Sequence, residues 1–161
     1  MTATPSHRRG MYFEEFEVGQ RVITPARTIT EADIVNFAGL TGDYNLIHTD
    51  AVYAQGTPFG QRVAHGILGL AMASGLATRT GILEATVLAF REITEWKFSR
   101  PVFIGDTVWA ELVVEETKAL PRLGGGSLLL AVEVKKQDGE VVMKGRWSIL
   151  VQSRPADSPL S

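Results

Sequence analysis

Asp43 and His48 stand five residues apart in the run Leu40-Thr41-Gly42-Asp43-Tyr44-Asn45-Leu46-Ile47-His48, and Ala64-His65-Gly66 follows at the start of an uncharged helical stretch. An acid and an imidazole at that spacing in an irregular loop can converge on one small object, such as a water, and supply two groups that handle protons. Asn45 adds a side chain able to hold the loop. Gly66 offers a backbone N–H at a helix N-terminus, where unpaired N–H groups and the helix dipole suit an oxyanion developing on a carbonyl. Together these make a proton-transfer pair beside an oxyanion hole. Singly they mean little, since Asp43 could cap the turn after Gly42 and His48 could be a partly buried surface ring.

Such a site needs elements to position it. Phe16 to Gln20 reads as a turn into a strand at 21–29, and Thr30-Glu31-Ala32-Asp33 is a capping-box pattern opening a helix that ends at Gly39 or Gly42. Between Asp43 and Gly66 lies mostly turn chemistry, with a short helix capped by Asp50. The segment 66–80 carries no charge until Arg79 and alternates Ile67, Leu68, Leu70, Met72 and Leu76 with Gly, Ala and Ser. A helix apolar nearly all round is a buried one, and its small residues let another layer approach closely. Segments 93–98, 107–118, 127–137 and 141–152 are strand-like, with turns expected at Gly124-Gly125-Gly126 and Asp138-Gly139. The expected fold class is α+β: a single domain over residues 11–153 in which an antiparallel sheet wraps one long central helix, with flexible termini at 1–10 and 154–161.

Composition narrows the chemistry. The 161 residues amount to one domain, and 45% hydrophobic with 21% charged residues allows a packed core and a solvated surface. A formal charge of -2 gives no global field for nucleic acid or an anionic membrane. The absence of Cys removes disulfides, thiolate nucleophiles and Cys-bound metals. Zinc would have to recruit carboxylates to three histidines, one of them His7 in the loose N-terminus, so no metal site is expected. The uncharged run from Val63 to Thr78 is shorter than the ~20 apolar residues of a spanning helix, and no apolar leader follows Arg8-Arg9, which makes the cytoplasm the expected location. Half of the sixteen glycines and two of the three histidines fall between residues 39 and 81.

Gly42-Asp43-Tyr44-Asn45-Leu46-Ile47-His48 resembles the hydratase motif of the MaoC-like dehydratase family, G-D-x-N-P-[LIV]-H. The likeness continues in Ala64-His65-Gly66-Ile67-Leu68 and in Arg100-Pro101-Val102-Phe103-Ile104-Gly105-Asp106-Thr107, spanning about residues 12–152. The resemblance implies a hotdog fold and a hydro-lyase, an (R)-specific enoyl-CoA hydratase that adds water to trans-2-enoyl thioesters or removes it from (R)-3-hydroxyacyl thioesters, with no cofactor. It makes Asp43 and His48 the catalytic pair and the Gly66 N–H the oxyanion donor, with Asn45, His65 and Ser74 as substrate-binding positions. One departure stands out: Leu46 occupies the family's proline position, releasing a fixed φ and restoring a backbone donor.

The implied partners are an acyl-CoA or acyl carrier protein thioester and further copies of the chain. A sheet around one helix leaves the active-site side open, so a homodimer is the expected minimum and a trimer of dimers is compatible. Two other readings are a hotdog acyl-CoA thioesterase and a non-catalytic acyl-binding hotdog subunit. Trp96, Phe98, Trp109 and Trp147 read as core or interface residues, and Arg62, just ahead of the helix start, reads first as a solvated arginine that could also meet a substrate phosphate.

Overall fold

The computed structural model describes residues 10–156, so His7 and most of both expected loose ends lie outside it. The parts of those ends that fall inside are tied down. Gly10 N–H donates to Glu84 O at 2.7 Å, and Arg154 N–H donates to the Glu14 carboxylate at 3.0 Å while its guanidinium pairs with Glu15.

Six strands form one antiparallel sheet in the order β1-β4-β5-β6-β3, with β2 also on β4. The long members are β3 (Val87–Phe98), β4 (Thr107–Leu120), β5 (Gly125–Lys136) and β6 (Val141–Gln152). Alternation along β4 buries Val108, Ala110, Leu112 and Val114, and β5 does the same with Leu128, Leu130, Val132 and Val134. That period-2 face receives α4 (Gly66–Thr78), which buries Leu68, Met72, Ala73, Leu76 and Ala77 against it. Gly69 leaves room for the end of Met143, whose Cε would lie 2.1 Å from a Cβ there and would have to shift aside. The opposite face is a lattice of charge: Glu111 accepts from Arg21 and Lys135, which hold its carboxyl down at about 2. Among the described residues no helix is long and apolar enough to cross a membrane.

Three sequence expectations shift. The first strand is broken into β1 (Arg21–Ile23) and β2 (Arg27–Thr28), with Thr24-Pro25 between them; Thr24 turns inward and its Oγ1 accepts from Ala110 N–H. β3 starts six residues earlier than its aromatic pattern suggests, and register shifts at three places along it break the alternation that would have marked it. Of the three consecutive glycines only Gly124, at φ +69°, makes the turn. Gly125 and Gly126 lie in β5, where a Cβ would strike Val151 O and the Phe13 ring.

Candidate active site

The helix α1 (Glu31–Thr41) opens on the expected capping box, Thr30 Oγ1 accepting from Asp33 N–H and Asp33 accepting from Thr30 N–H, and closes on Gly42 at φ +77°. A left-handed residue there turns the chain sharply and leaves Asp43 exposed at the top of a short loop. Asn45 then caps α2 (Leu46–Thr49), its Oδ1 accepting from Ile47 N–H at 3.3 Å. Leu46 is therefore the first helical residue. Proline is at home in that position because the N–H it lacks has no intrahelical partner, so leucine alters stiffness without changing the hydrogen-bond frame. Asp50 caps α3 (Ala51–Gln55), as the sequence predicts.

His48, 8% exposed, points inward from α2 and meets the segment leading into α4. Its Nδ1 lies 2.7 Å from Val63 O. A carbonyl oxygen only accepts, so Nδ1 carries the hydrogen and the neutral ring keeps its lone pair on Nε2. Burial holds His48 below the ordinary histidine value of 6.5; the Val63 bond and the Asp43 charge pull the other way, and His65 reinforces the lowering. One ligand-capable atom from each of Asp43, His48 and His65 forms a set in which all three lie within 4.8 Å of one another. Two groups at that separation can both reach one water at ordinary hydrogen-bond length.

The same trio has the composition of a two-histidine, one-carboxylate metal set, but its geometry does not suit a shared cation. An imidazole binds a metal in its own plane at ~2.0–2.1 Å. The two rings are stacked, centroids 3.8 Å apart and planes 27° from parallel, so their planes meet far beyond that distance.

Gly66 opens α4. No side chain caps this end, and no described group accepts from the Gly66 N–H. The N-terminus faces a pocket of about 500 Å³ whose lining includes His48, Gly66, Ile67, Phe98, Arg100 and Met143. Phe98, 51% exposed, lies over Gly66 so closely that a Cβ would come within 2.9 Å of the ring. Glycine thus lets an aromatic wall sit directly on the helix end.

Not every residue read from the motifs reaches this pocket: Asp43 is exposed and stands outside its lining, beside His48. Asn45 is spent on its cap, and His65 turns its Nε2 to the Asp43 carbonyl at 2.9 Å. Ser74 is exposed on α4 about 12 Å up the axis from Gly66, outside the pocket lining. Arg62 is engaged by both Glu31 carboxylate oxygens. The cation at the pocket is instead Arg100, whose exposed side chain pairs with Glu140 at 3.3 Å. Trp147 is core, stacked with Trp96 at 6.0 Å, and Trp109 lies under Lys135. Phe98 and Arg100 escaped the sequence reading as pocket residues, although Arg100 opens the third motif and Phe98 lies two residues before it.

Comparison with known proteins bears on the family and the fold. The family described as MaoC like domain matches residues 14–126. An (R)-specific enoyl-CoA hydratase of Rhodospirillum rubrum is 37% identical over 144 residues, covering 89% of this chain and 93% of the relative. Protein MaoC of Klebsiella aerogenes is 43% identical over 101 residues, 63% of this chain, which spans only 30% of that protein's length. Among solved structures, an R-hydratase from Pseudomonas aeruginosa superposes with a TM-score of 0.74 at 32% identity, covering 94% of this chain and 96% of the other. A Mycobacterium tuberculosis protein described as a double hotdog fold gives 0.68 at 23% identity over 91% of this chain and 43% of its own, a likeness of fold. With the motifs, the wrapped helix and the matched profile in agreement, the chain belongs to the MaoC-like dehydratase family and has its hotdog fold.

Proposed function

We propose that this chain is a cytoplasmic hydro-lyase that adds water to trans-2-enoyl thioesters and, in reverse, dehydrates (R)-3-hydroxyacyl thioesters. The observation that carries the reading is the juxtaposition, in the lining of one pocket, of an uncapped helix N-terminus at Gly66 and the His48 ring, with Asp43 close to His48. The thioester oxygen accepts from Gly66 N–H, which withdraws charge and makes Cβ electrophilic. A water held by Asp43 and His48 attacks Cβ and gives its proton to His48 Nε2. The C–O bond forms as the π pair moves onto the enolate that Gly66 stabilises. The proton then returns from His48 to Cα on the same face, so that one water is added and no group is left over. A cysteine-free chain has no need of an oxidising compartment. The test follows the loss of the enoyl chromophore across thioesters of increasing chain length while a thiol reagent monitors the same reactions. Loss of absorbance without thiol release supports the proposal; thiol release makes the chain a thioesterase, and neither change makes it a non-catalytic subunit.

The carrier, coenzyme A or acyl carrier protein, bears phosphate on its arm, and Arg100 at the pocket suits it. Arg100→Ala is expected to raise KM for a CoA thioester about fivefold, the scale of an exposed charge contact of ~1 kcal/mol. The truncated N-acetylcysteamine thioester, which lacks phosphate, serves as the comparison; an equal rise with both would refute the phosphate contact.

A second copy of the chain fits the free side of β3. That strand ends the sheet, paired only with β6, and exposes Val87, Leu88, Phe90 and Ile93, while Ile67 on α4 is 57% exposed. Edge-to-edge pairing of two copies would satisfy the unpaired backbone and cover this apolar strip. Light scattering is expected to give twice the chain's mass or an even multiple of it. A monomer at micromolar concentration would contradict the pairing.

A further inference from the structure

His65 has no part in the chemistry proposed above, since the N–H of its neighbour takes the carbonyl and the other two side chains hold the water. Even so, at 2% exposure it is the most deeply buried titratable side chain among the described residues. Its surroundings are specific. Nε2 lies 2.9 Å from Asp43 O, across 22 residues of chain; the His48 ring stacks on its face at 3.8 Å; and Phe37 of α1 tilts against it at 5.0 Å. Nδ1 is buried with no hydrogen-bond partner. The Asp43 carbonyl can only accept, so Nε2 carries the hydrogen and the unpartnered Nδ1 is a lone pair, a smaller loss than an unpartnered donor.

The other described bonds of the loop that His65 grips are local to it and α2. Asp43 N–H donates to Thr41 Oγ1, Tyr44 N–H to Gly42 O and Asn45 N–H to the Asp43 carboxylate, while Thr49 Oγ1 donates to Tyr44 O and Asn45 O from four or five residues on. Leucine at 46 also leaves the loop without the fixed φ of a proline. The bond from His65 is the described link that ties Asp43 to the interior, while Val63 O, two residues earlier, fixes His48. The segment 63–66 therefore sets the imidazole, the acid and the oxyanion donor from a single stretch of backbone.

We infer that His65 is a positioning residue, an Nε2–H imidazole that clamps the Asp43 main chain and backs the His48 ring so that acid and base share one frame with Gly66. This rests on the reading of Asp43 and His48 as the water-handling pair. Displacement of a reacting group by about 1 Å can cost ~10²-fold in rate. Accordingly, His65→Leu, which keeps bulk and removes the donor, is expected to lose about 10²-fold in kcat with KM nearly unchanged. His65→Gln, whose amide N–H can reach the same carbonyl, is expected to recover most of that loss. A raised KM at parental kcat would make His65 a substrate contact and overturn the inference, as would a His65→Leu variant with parental kinetics. Long-range ¹H–¹⁵N correlation on histidine-labelled protein gives a readout independent of turnover and of how the variants fold. The expected tautomers are Nε2–H for His65 and Nδ1–H for His48, and Nδ1–H on His65 would overturn the clamp. A parent protein inactive on every enoyl thioester would sink the hydratase reading; an active parent with the wrong His65 tautomer would sink only the positioning role.

Discussion

Replacing His48 with Gln is expected to lower kcat for enoyl-thioester hydration by roughly 10²–10⁴-fold, the usual worth of a positioned proton-transfer group. The imidazole is fixed by its Nδ1–H bond to Val63 O, so its Nε2 lone pair is the atom that can accept a proton. Glutamine can retain the donor to Val63 but offers no nitrogen lone pair. Asp43→Asn is expected to lose activity on a similar scale with stability unchanged, because Asp43 is exposed and an amide oxygen can still accept from Asn45 N–H. The pH dependence has a definite sign. The base works when His48 is neutral, and burial lowers its pKa from 6.5. Activity should therefore hold as pH falls through 6.5 and decline only below it. Near-parental kcat in either variant would remove that residue from the chemistry, and an acid limb above 6.5 would contradict the buried neutral base.

The second large effect is expected at a main-chain atom. Gly66→Pro deletes the proposed oxyanion donor at the first position of α4, where helices accept proline readily. His65, at φ -58° and ψ 133°, already has the backbone conformation that a following proline requires. Any side chain at 66 meets Phe98 at 2.9 Å, so the comparison belongs in a Phe98→Ala background. There, Gly66→Ala and Gly66→Pro both add a Cβ, but only proline removes the N–H. The proline variant is expected to fall a further 10²–10³-fold in kcat, as for loss of an oxyanion-hole donor. Equal kinetics for the two would exclude Gly66 N–H as the donor, and circular dichroism on both checks that the helix is intact.

The local devices were legible because their physics is local. The Thr30–Asp33 box, the left-handed Gly42, the Asp50 cap and the uncharged run of α4 are all written within a few residues and appear where the sequence puts them. β3 was only half legible, since its bulges interrupt the alternation that marks a strand. The polar side chains of the site were harder to read. Asn45 holds the loop, as its type suggests, by capping α2, and both it and Ser74 stand outside the pocket lining although the family resemblance makes them substrate-binding positions. Motif positions identify which residue types recur together; they carry no information about where a side chain points.

The sequence alone determined an antiparallel sheet around one central helix and Gly66 at that helix's start, because these rest on periodicity and turn chemistry; the family resemblance of its motifs is what proposes Asp43 and His48 as a pair. Tertiary structure decided what those groups can do. Only the packing of residues 63–65 against α2 and the loop puts Val63 O on His48 Nδ1, and thereby assigns the lone pair to Nε2. Only the return of β3 and the segment after it brings Phe98 over Gly66 and Arg100 to the pocket, whereas Arg62, much nearer in sequence, is held by Glu31. Tautomers, walls and charge partners are set by long-range contacts, and a linear pattern of residue types cannot encode them.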